Sequence, residues 1–509
     1  MNKNKTRVRF APAPTGLMHI GNVRTALLNY LFAHQNNGTF VLRVEDTDPL
    51  RNFDKDAKEI LGDLNWLHLN YDEGPIKGGP YAPYFQSQRD SIYKEYLEKL
   101  EKKDHVYRCF CTAEELEKKR NRQIALKQPP RYDKICLKLN TEQIQKKVAE
   151  NVPFIWRFNV EPNQEIEFRD LSKGTVKFNS SNLTDFPVTR QNGSFTFLFA
   201  NAIDDILMQI TDVFRGEDHL SNTASQLLIY DALKAKHPKF LHMPIICNLE
   251  GKKLSKRDQG FSLQDLQKDG FLPEAINNYL AILGKSFENE IMNLDELSKE
   301  LNFEAPGASH IKYDLEKLKW INHKWISQLS IEDLTQRCLH ILEKQFPAVT
   351  NLEKNQLEKL ISLIQPELVT LNDATEKIRF YFEKPKLNLN RSLSNSHPST
   401  SSGRAAAHGE PVEPYERLCK NLNIADLKKY QENRESINNI IKDNINLLDN
   451  PEEFIEKVKI KAKENKISLS AIFPILRYVL IGSVNGPNII DIMNLLGVEE
   501  NRDRINKIF

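Results

Sequence analysis

The N-terminal segment of the chain has a strand–helix–strand pattern. Strand-like runs cover Val8 to Ala11 and Phe40 to Val44, and between them a Pro- and Gly-rich turn, Pro12 to Gly16, precedes a helix-like pattern from about Ile20 to Phe32. This order is a βαβ unit, which requires two parallel strands and a right-handed crossover. The sequence therefore predicts an α/β domain at this end of the chain, with a ligand site at the carboxyl ends of its strands.

Residues able to bind a phosphate follow the first strand. The start of the next helix offers free N–H groups and the positive end of a helix dipole, which suits an anion. His19 can donate a hydrogen bond to phosphate, and Gly21 lets a nucleotide approach the backbone without a Cβ in the way. The alternative is a structural histidine at a turn, so His19 alone does not identify a site.

The rest of the chain changes character twice. Residues from about 109 to 195 combine short β-rich pieces with charged helical stretches, as expected for a domain inserted into the α/β fold. The α/β character then returns, and from about Gln264 onward apolar and charged residues recur at helical spacing. A segment from about 391 to 414 is rich in Ser, Pro, Gly and Ala, which predicts a disordered or loosely packed surface loop.

Composition and charge place few limits on the function. The hydrophobic share of 40% and the charged share of 28% fit a soluble globular protein, and a net charge of +2 neither indicates nor excludes a nucleic-acid partner. The longest apolar run, Ala471 to Gly482, is too short and too interrupted to span a bilayer. No secretory signal is visible, and six cysteines are too few for a disulfide framework, so we expect a cytoplasmic protein without a membrane partner.

A second cationic motif follows Gly251. It runs from Lys252 to Arg257 and contains four basic side chains. Such a loop can neutralise the charge that develops on a leaving pyrophosphate. The alternative is a solvated basic loop.

Together the two motifs resemble those of the class I aminoacyl-tRNA synthetases. His19-Ile20-Gly21-Asn22 matches the "HIGH" signature with Asn in place of the last His, and Lys253-Leu254-Ser255-Lys256-Arg257 matches the "KMSKS" loop. The chain is most similar to the glutamyl branch, whose further blocks read close to RFAPSPTG, LRIEDTD and VIRGEDH. The corresponding blocks of this chain are Arg9 to Gly16, Leu42 to Asp48 and Val213 to His219.

The resemblance implies a fold class and a domain order. We expect an N-terminal α/β Rossmann-like catalytic domain with an inserted α+β acceptor-binding domain, followed by an all-α anticodon-binding region. The implied boundaries are 1–108 for the first half of the catalytic domain, 109–195 for the insertion, 196–262 for the second half with the KLSKR loop, 263–330 for a helical stem-contact domain, and 331–509 for the anticodon-binding region with the low-complexity insert.

The resemblance also implies the reaction. Glutamate attacks the α-phosphate of ATP, with Mg²⁺ on the phosphates, and the glutamyl group then passes from glutamyl-adenylate to the 3′ end of a tRNA. A monomer is expected. The implied catalytic residues are His19, Lys253 and Lys256. The implied ATP-binding residues are His19, Gly21, Asn22, Lys253, Ser255 and Lys256. The implied contacts with the tRNA acceptor end are Asp48 and Arg51.

The chemistry of glutamate agrees with this resemblance. Glutamate carries two carboxylates, which Arg9 and Arg215 can each grip through paired N–H groups, and one ammonium, which Glu45 can hold. The alternative is that Arg9 and Glu45 pair with each other across neighbouring strands. The full implied glutamate site is Arg9, Ala11, Glu45, Phe197, Asn201 and Arg215.

Two positions depart from the family pattern. The family often has Ser where this chain has Ala13, and Tyr where it has Phe197. Each change removes a hydroxyl near the substrates. A lost hydrogen bond to a charged group costs about 1.5–3 kcal/mol unless water replaces it. These changes affect the expected affinity and tRNA choice more than the reaction class.

A cysteine cluster lies in the predicted insertion. Cys109, Cys111 and Cys136, with Tyr132, offer three thiolates and a phenolate for a structural Zn²⁺. Some family members have a His shortly after the last Cys, where this chain has Lys138. The alternative is a set of free, partly buried thiols without metal.

Three other functions stay open at this point. The first is an enzyme that charges tRNA-Gln instead of, or besides, tRNA-Glu. The catalytic motifs of such an enzyme would be identical, so they do not distinguish the two. A catalytically silent tRNA-binding paralogue is disfavoured because the charged site residues are all present. The short relative that glutamylates a modified base in tRNA-Asp is disfavoured by the long helical C-terminal region.

Overall fold

The computed structural model describes residues 5–48, 50, 52–54, 56–254, 258, 260–303, 311–385 and 429–509 of the 509-residue chain. These residues form two compact units, Met1–Ile321 and Asn322–Phe509. The low-complexity insert at about 391–414 lies outside the described residues. The finer division into five domains stays a prediction.

The βαβ unit predicted at the N-terminus is confirmed. Strand β1 (Arg7–Phe10) leads into helix α1 (Ile20–Gln35) and strand β2 (Thr39–Leu42). The two strands are parallel, with Val8 opposite Phe40. Both strands are almost wholly buried, which is why they read as continuous apolar runs.

The first unit continues with a mixture of helices and strands. In chain order these are α2 (Lys58–Trp66), α3 (Asp90–Glu101), β3 (Val106–Cys109), α4 (Ala113–Ala125), α5 (Thr141–Ala149), β4 (Ile155–Phe158), β5 (Glu165–Asp170), β6 (Gly174–Asn179), α6 (Phe197–Leu207), β7 (Asp212–Gly216), α7 (Leu220–Ala232), β8 (Lys239–Met243) and β9 (Ile246–Cys247).

Four of these strands form one sheet in the order β6-β5-β8-β7. Strands β7 and β8 are parallel, with Arg215 opposite His242, whereas β5 and β6 are antiparallel. Strand β1 lies beside β7, because the backbone N–H of Thr211 donates to the carbonyl of Arg7 at 2.9 Å. The segment expected to be an insertion therefore has two parts: a separate antiparallel pair of strands, β3 and β4, and the β5–β6 pair, which extends the sheet of the α/β domain.

The first unit ends in helices, as the periodicity predicts. The elements are α8 (Leu263–Lys268), α9 (Pro273–Ile282), α10 (Leu294–Glu300), the short strand β10 (Ile311–Lys312) and the first half of α11 (Leu315–Gln328), a helix in which the boundary between the two units falls. Strand β10 pairs in parallel with β9. Helix α9 begins with Pro273, which fits the first helical position because it has no N–H to leave unpaired.

The second unit is helical throughout its described part. Its helices are α12 (Ile331–Gln345), α13 (Lys354–Ile364), α14 (Asp373–Phe382), α15 (Arg434–Asp443), α16 (Pro451–Glu464), α17 (Leu469–Ile481), α18 (Ile489–Leu496) and α19 (Val498–Asn506). The buried Arg504 ties three of them together, since its guanidinium donates to the carbonyls of Leu480 and Phe380. Across the described residues, no helix combines the length and apolar character needed to cross a membrane.

Candidate active site

A cavity of about 500 Å³ opens at the carboxyl ends of strands β1, β2, β7 and β8. The location agrees with the expectation for a parallel sheet. Of the predicted ATP- and glutamate-binding residues, those that line the cavity are Arg9, Ala11, His19, Gly21, Asn22, Glu45, Phe197, Asn201, Arg215 and Lys253. Ser255 and Lys256 lie outside the described residues.

His19 caps the N-terminus of α1. Its Nδ1 accepts a hydrogen bond from the backbone N–H of Asn22 at 3.3 Å, and its ring stacks on Phe261 with centroids 5.2 Å apart. Burial and the nearby charge of Lys253 lower the pKa of His19, so the ring is neutral near pH 7. Because Nδ1 accepts, the proton lies on Nε2, which makes His19 a hydrogen-bond donor at the positive end of the helix dipole.

Gly21 has a steric reason to lack a side chain. A Cβ at this position would lie 3.0 Å from two atoms of the His19 ring. Glycine therefore protects the orientation of His19 as well as leaving the backbone open.

Lys253, in the cationic loop, also lines the cavity. It forms a β-bridge with Cys247, and the backbone N–H of Leu254 donates to the carbonyl of Ile246 at 3.0 Å. The first part of the loop is thus fixed to strand β9, while the Lys253 side chain is exposed. The cavity is consequently lined by a cation, Lys253, and a neutral donor, His19.

Arg9 forms an ion pair with Asp205, and not with Glu45 as the sequence alternative proposed. Its Nε donates to both carboxylate oxygens of Asp205, at 3.1 and 3.2 Å. The alternative that Arg9 and Glu45 simply pair with each other is wrong, since Glu45 binds Arg43 and Asn201. Arg9 also donates from Nη1 to the backbone carbonyl of Phe214 at 3.4 Å, and it lines the cavity.

Glu45 is held by a fully buried arginine. Arg43 has no exposed surface, and it donates from Nη2 to Glu45 at 3.1 Å and from Nη1 to Asp205 at 2.6 Å. Burial raises the pKa of Glu45, although the neighbouring arginines oppose this effect. Burial also disfavours the charge of Arg43, but the carboxylates of Asp205, Asp204 and Glu45 outweigh it and raise its pKa.

Arg215 differs from Arg9 and Arg43 in the charge of its partners. Within the described part of the chain it donates to the amide oxygen of Gln226 at 2.8 Å and to the hydroxyl of Thr223 at 2.6 Å, and its Nε lies 3.4 Å from Nε2 of His242. Burial, and then the charge of Arg9, lower the pKa of Arg215 to about 9. It remains cationic at neutral pH with neutral partners, as expected for a residue that awaits an anion.

A smaller cavity of about 180 Å³ adjoins the first. Asp48 lines it together with Asn52 and Arg190, and both Ala13 and Phe197 line the two cavities. Arg51, the second predicted acceptor contact, lies outside the described residues. Phe197 is the first residue of α6, and its ring lies 5.3 Å from that of His219.

The cysteine cluster forms a compact set of possible metal ligands. The sulfurs of Cys109, Cys111 and Cys136 lie within 4.8 Å of one another. The Oη of Tyr132 is 3.3 Å from Sγ of Cys109 and 3.7 Å from Sγ of Cys111. Sulfurs that share a tetrahedral zinc lie about 3.8 Å apart, given Zn–S bonds of about 2.3 Å. The donor set therefore fits Zn²⁺, with the phenol oxygen or water as the fourth ligand.

Several residues at the site escaped the sequence interpretation. Arg43 and Asp205 stand inside motif segments that were singled out, yet only their neighbours received roles. The signal for Arg43 is a charged residue inside the predicted apolar strand Phe40 to Val44, two positions from Glu45. Thr223 and Gln226 lie three positions apart on α7, so they share one face of the helix. That spacing is the sequence signal that connects them.

Two protein-family models match the chain, one in its N-terminal part and one in its C-terminal part. Residues 5–320 match the family described as "tRNA synthetases class I (E and Q), catalytic domain". Residues 412–509 match the "Anticodon binding domain" family. The first match covers more than half of the chain.

Individual relatives match over nearly the whole length. The chain is 34% identical over 517 residues to the glutamate--tRNA ligase of Finegoldia magna, and 36% identical over 509 residues to glutamate--tRNA ligase 1 of Pseudothermotoga lettingae, with 99% of each chain covered. The structure of an Elizabethkingia meningosepticum glutamate tRNA ligase in complex with its amino acid matches with a TM-score of 0.80 at 30% identity, again with 99% of both chains covered.

Proposed function

Since the chain belongs to the class I tRNA synthetases and, within them, to the glutamate--tRNA ligases, we propose that it joins L-glutamate to the 3′ end of tRNA-Glu through a glutamyl-adenylate. ATP is the energy source. The observation that carries the proposal is the set of groups that line the main cavity. Arg215, whose partners are neutral, lies there with Arg9, the buried carboxylate of Glu45 and the N-terminus of α1, which suits a phosphate.

We propose that Arg215 and Arg9 bind the two carboxylates of glutamate. Arg215 has five N–H groups, of which three go to neutral neighbours, so two remain for a carboxylate. Glu45 takes the ammonium group, and Asn201 holds the carboxylate of Glu45 through its Nδ2. Ala11 and Phe197 complete the walls of the glutamate site.

We propose that ATP lies across the start of α1. The Nε2 of His19 and the backbone N–H of Gly21 would donate to the phosphates, and Asn22, Lys253, Ser255 and Lys256 would supply further ATP contacts. Mg²⁺ would neutralise part of the phosphate charge. The in-line attack of glutamate on the α-phosphate needs positioning and charge stabilisation, and no covalent enzyme intermediate.

We propose that the terminal adenosine of the tRNA enters the smaller cavity beside Asp48, and that Arg51 is a further contact of the acceptor end. The ribose hydroxyl of this adenosine then attacks the carbonyl carbon of glutamyl-adenylate and releases AMP. Discrimination of tRNA-Glu from tRNA-Gln, the monomeric state, a cytoplasmic location and the five-domain division are parts of the same proposal. A tRNA-Gln-charging enzyme is the alternative that shares this catalytic site.

The proposed chemistry is tested by ATP–pyrophosphate exchange. Purified protein is given glutamate, labelled pyrophosphate, ATP, Mg²⁺ and tRNA. Exchange that requires glutamate supports adenylate formation. Its absence with every tRNA would favour a silent tRNA-binding paralogue.

Phe197→Tyr is expected to tighten glutamate binding. The new hydroxyl stands at a position that lines both cavities, where it can restore a hydrogen bond to a charged substrate. A bond of about 1.5–3 kcal/mol corresponds to a fall of about 10- to 100-fold in the KM for glutamate. The KM for ATP serves as the internal control. An unchanged glutamate KM would mean that water already supplies this bond.

We propose a structural Zn²⁺ at Cys109, Cys111 and Cys136, with Tyr132 as fourth ligand or hydrogen-bond donor. Besides the sulfur geometry, the proposal is supported by the small core around the cluster. Helices α4 and α5 bury none of their residues. A metal supplies the stability that so small a core lacks.

Metal analysis of the purified protein is expected to find about one Zn²⁺ per chain. Cys111→Ser should lose the metal, and the segment around residues 109–160 should become sensitive to protease. Cys338→Ala changes a buried cysteine in α12 and should retain full zinc. Equal zinc in both variants would contradict the proposal.

A further inference from the structure

We infer that Gln226 is a positioning residue for glutamate recognition, because it connects Arg215 to Asn201 and keeps Arg215 free of any carboxylate. The inference rests on the proposed function, since Arg215 and Asn201 are the residues assigned there to glutamate. Gln226 lies on α7, is 3% exposed, and does not itself line the cavity.

Four side chains form a directed chain of hydrogen bonds. Nη1 of Arg215 donates to Oε1 of Gln226 at 2.8 Å, and Nε2 of Gln226 donates to Oδ1 of Asn201 at 2.9 Å. Nδ2 of Asn201 in turn donates to Oε1 of Glu45. The chain therefore runs from the cation proposed for a carboxylate to the anion proposed for the ammonium.

The direction of this chain fixes both amides. If the amide of Gln226 were reversed, its N–H groups would face Arg215, and its oxygen would face the oxygen of Asn201. If Asn201 reversed instead, its oxygen would face the carboxylate of Glu45. Each reversal breaks two buried hydrogen bonds, and an unsatisfied buried polar group costs about 1–3 kcal/mol. One orientation of each side chain is thus strongly favoured.

A neutral partner at this position has a second consequence. The other two neighbours of Arg215 are also neutral: the Thr223 hydroxyl and the His242 ring, whose Nδ1 donates to Asp170 at 2.7 Å. A carboxylate in place of the Gln226 amide would pair with Arg215 inside the protein. The guanidinium would then be compensated before any substrate arrived. Glutamine orients Arg215 without neutralising it.

The substitution Gln226→Glu separates positioning from a merely structural role. The new carboxylate accepts from Arg215 and satisfies a buried cation, so folding stability is expected to equal or exceed that of the parent protein. The same change removes the donor to Asn201 and neutralises Arg215. The KM for glutamate is therefore expected to rise by about tenfold or more, while the KM for ATP changes by less than about twofold.

Two further variants complete the test. Gln226→Met removes both hydrogen bonds without adding charge, and should raise the glutamate KM by less than Gln226→Glu while lowering stability. Gln86→Met removes another buried glutamine, whose partner Asp204 keeps Arg89 and Tyr93, and should leave the glutamate KM unchanged.

The readouts are glutamate-dependent ATP–pyrophosphate exchange with tRNA present, and thermal unfolding. A glutamate KM in both Gln226 variants equal to that of the parent protein, with exchange intact, would overturn the inference and leave the proposed function standing. No exchange in the parent protein would overturn both. A raised glutamate KM in both variants, with no loss of stability in Gln226→Glu, is the expected result.

Discussion

Lys256→Ala is expected to lower the rate of glutamate-dependent ATP–pyrophosphate exchange by on the order of 10²- to 10³-fold, the usual cost of removing one group that stabilises transition-state charge. Negative charge moves onto the leaving pyrophosphate as glutamate attacks the α-phosphate. A cation in the KLSKR loop stabilises this charge more than it stabilises bound ATP. The loss should therefore appear in kcat, with a smaller change in the KM for ATP.

The neighbouring Lys252 provides a matched control. Its ammonium group pairs with Glu250 at 2.9 Å and is exposed. Lys252→Ala removes a lysine from the same loop and should leave exchange close to that of the parent protein. Thermal unfolding of both variants should match the parent. Near-normal exchange in Lys256→Ala would mean that this loop does not act on the pyrophosphate.

Arg43→Met is expected to lower the free energy of unfolding by about 3–5 kcal/mol, the range for breaking a buried ion pair by removing one partner. Arg43 is fully buried, and its guanidinium bonds Asp205 at 2.6 Å and Glu45 at 3.1 Å, with Asp204 at 3.7 Å. Methionine fills a similar volume but leaves carboxylates without their shared cation. Urea denaturation followed by tryptophan fluorescence measures the loss.

The surface supplies the control for this change. Lys177 also pairs with two carboxylates, Glu165 at 2.8 Å and Glu167 at 2.9 Å, but its side chain is 55% exposed. Lys177→Met should change stability little, because water solvates the separated charges. Arg43→Met should in addition raise the KM for glutamate, since Glu45 loses its cation. Equal stability in the two variants would contradict the buried network.

Much of the fold and of the site was predictable because the relevant signals are local. The apolar runs predicted strands β1 and β2, and the turn before α1 indicated His19 and Gly21 as candidate phosphate-binding residues. Chain order then brought the strand ends together, as parallel sheets require. The resemblance to the glutamyl branch supplied Arg215 and Lys253, which local patterns alone do not distinguish from ordinary surface cations.

The partners of the site residues were not predictable from the sequence. Arg9 binds Asp205, which is 196 positions away, and the sequence alternative paired it with Glu45 instead. Gln226 binds Asn201 and Arg215, at separations of 25 and 11 positions. Packing of helix α6 against helix α7 brings Asn201 and Gln226 together. No single segment carries that information, because partner choice depends on the whole tertiary arrangement.

The central claim is tested most directly by transfer of labelled glutamate to purified tRNA-Glu and tRNA-Gln, each supplied separately with ATP and Mg²⁺. The account predicts label on tRNA-Glu that depends on ATP. Label on tRNA-Gln as well, or instead, would keep the glutamylation chemistry and correct the proposed choice of tRNA. Absence of label on both tRNAs, from a folded protein, would contradict the assignment of this site to glutamate ligation.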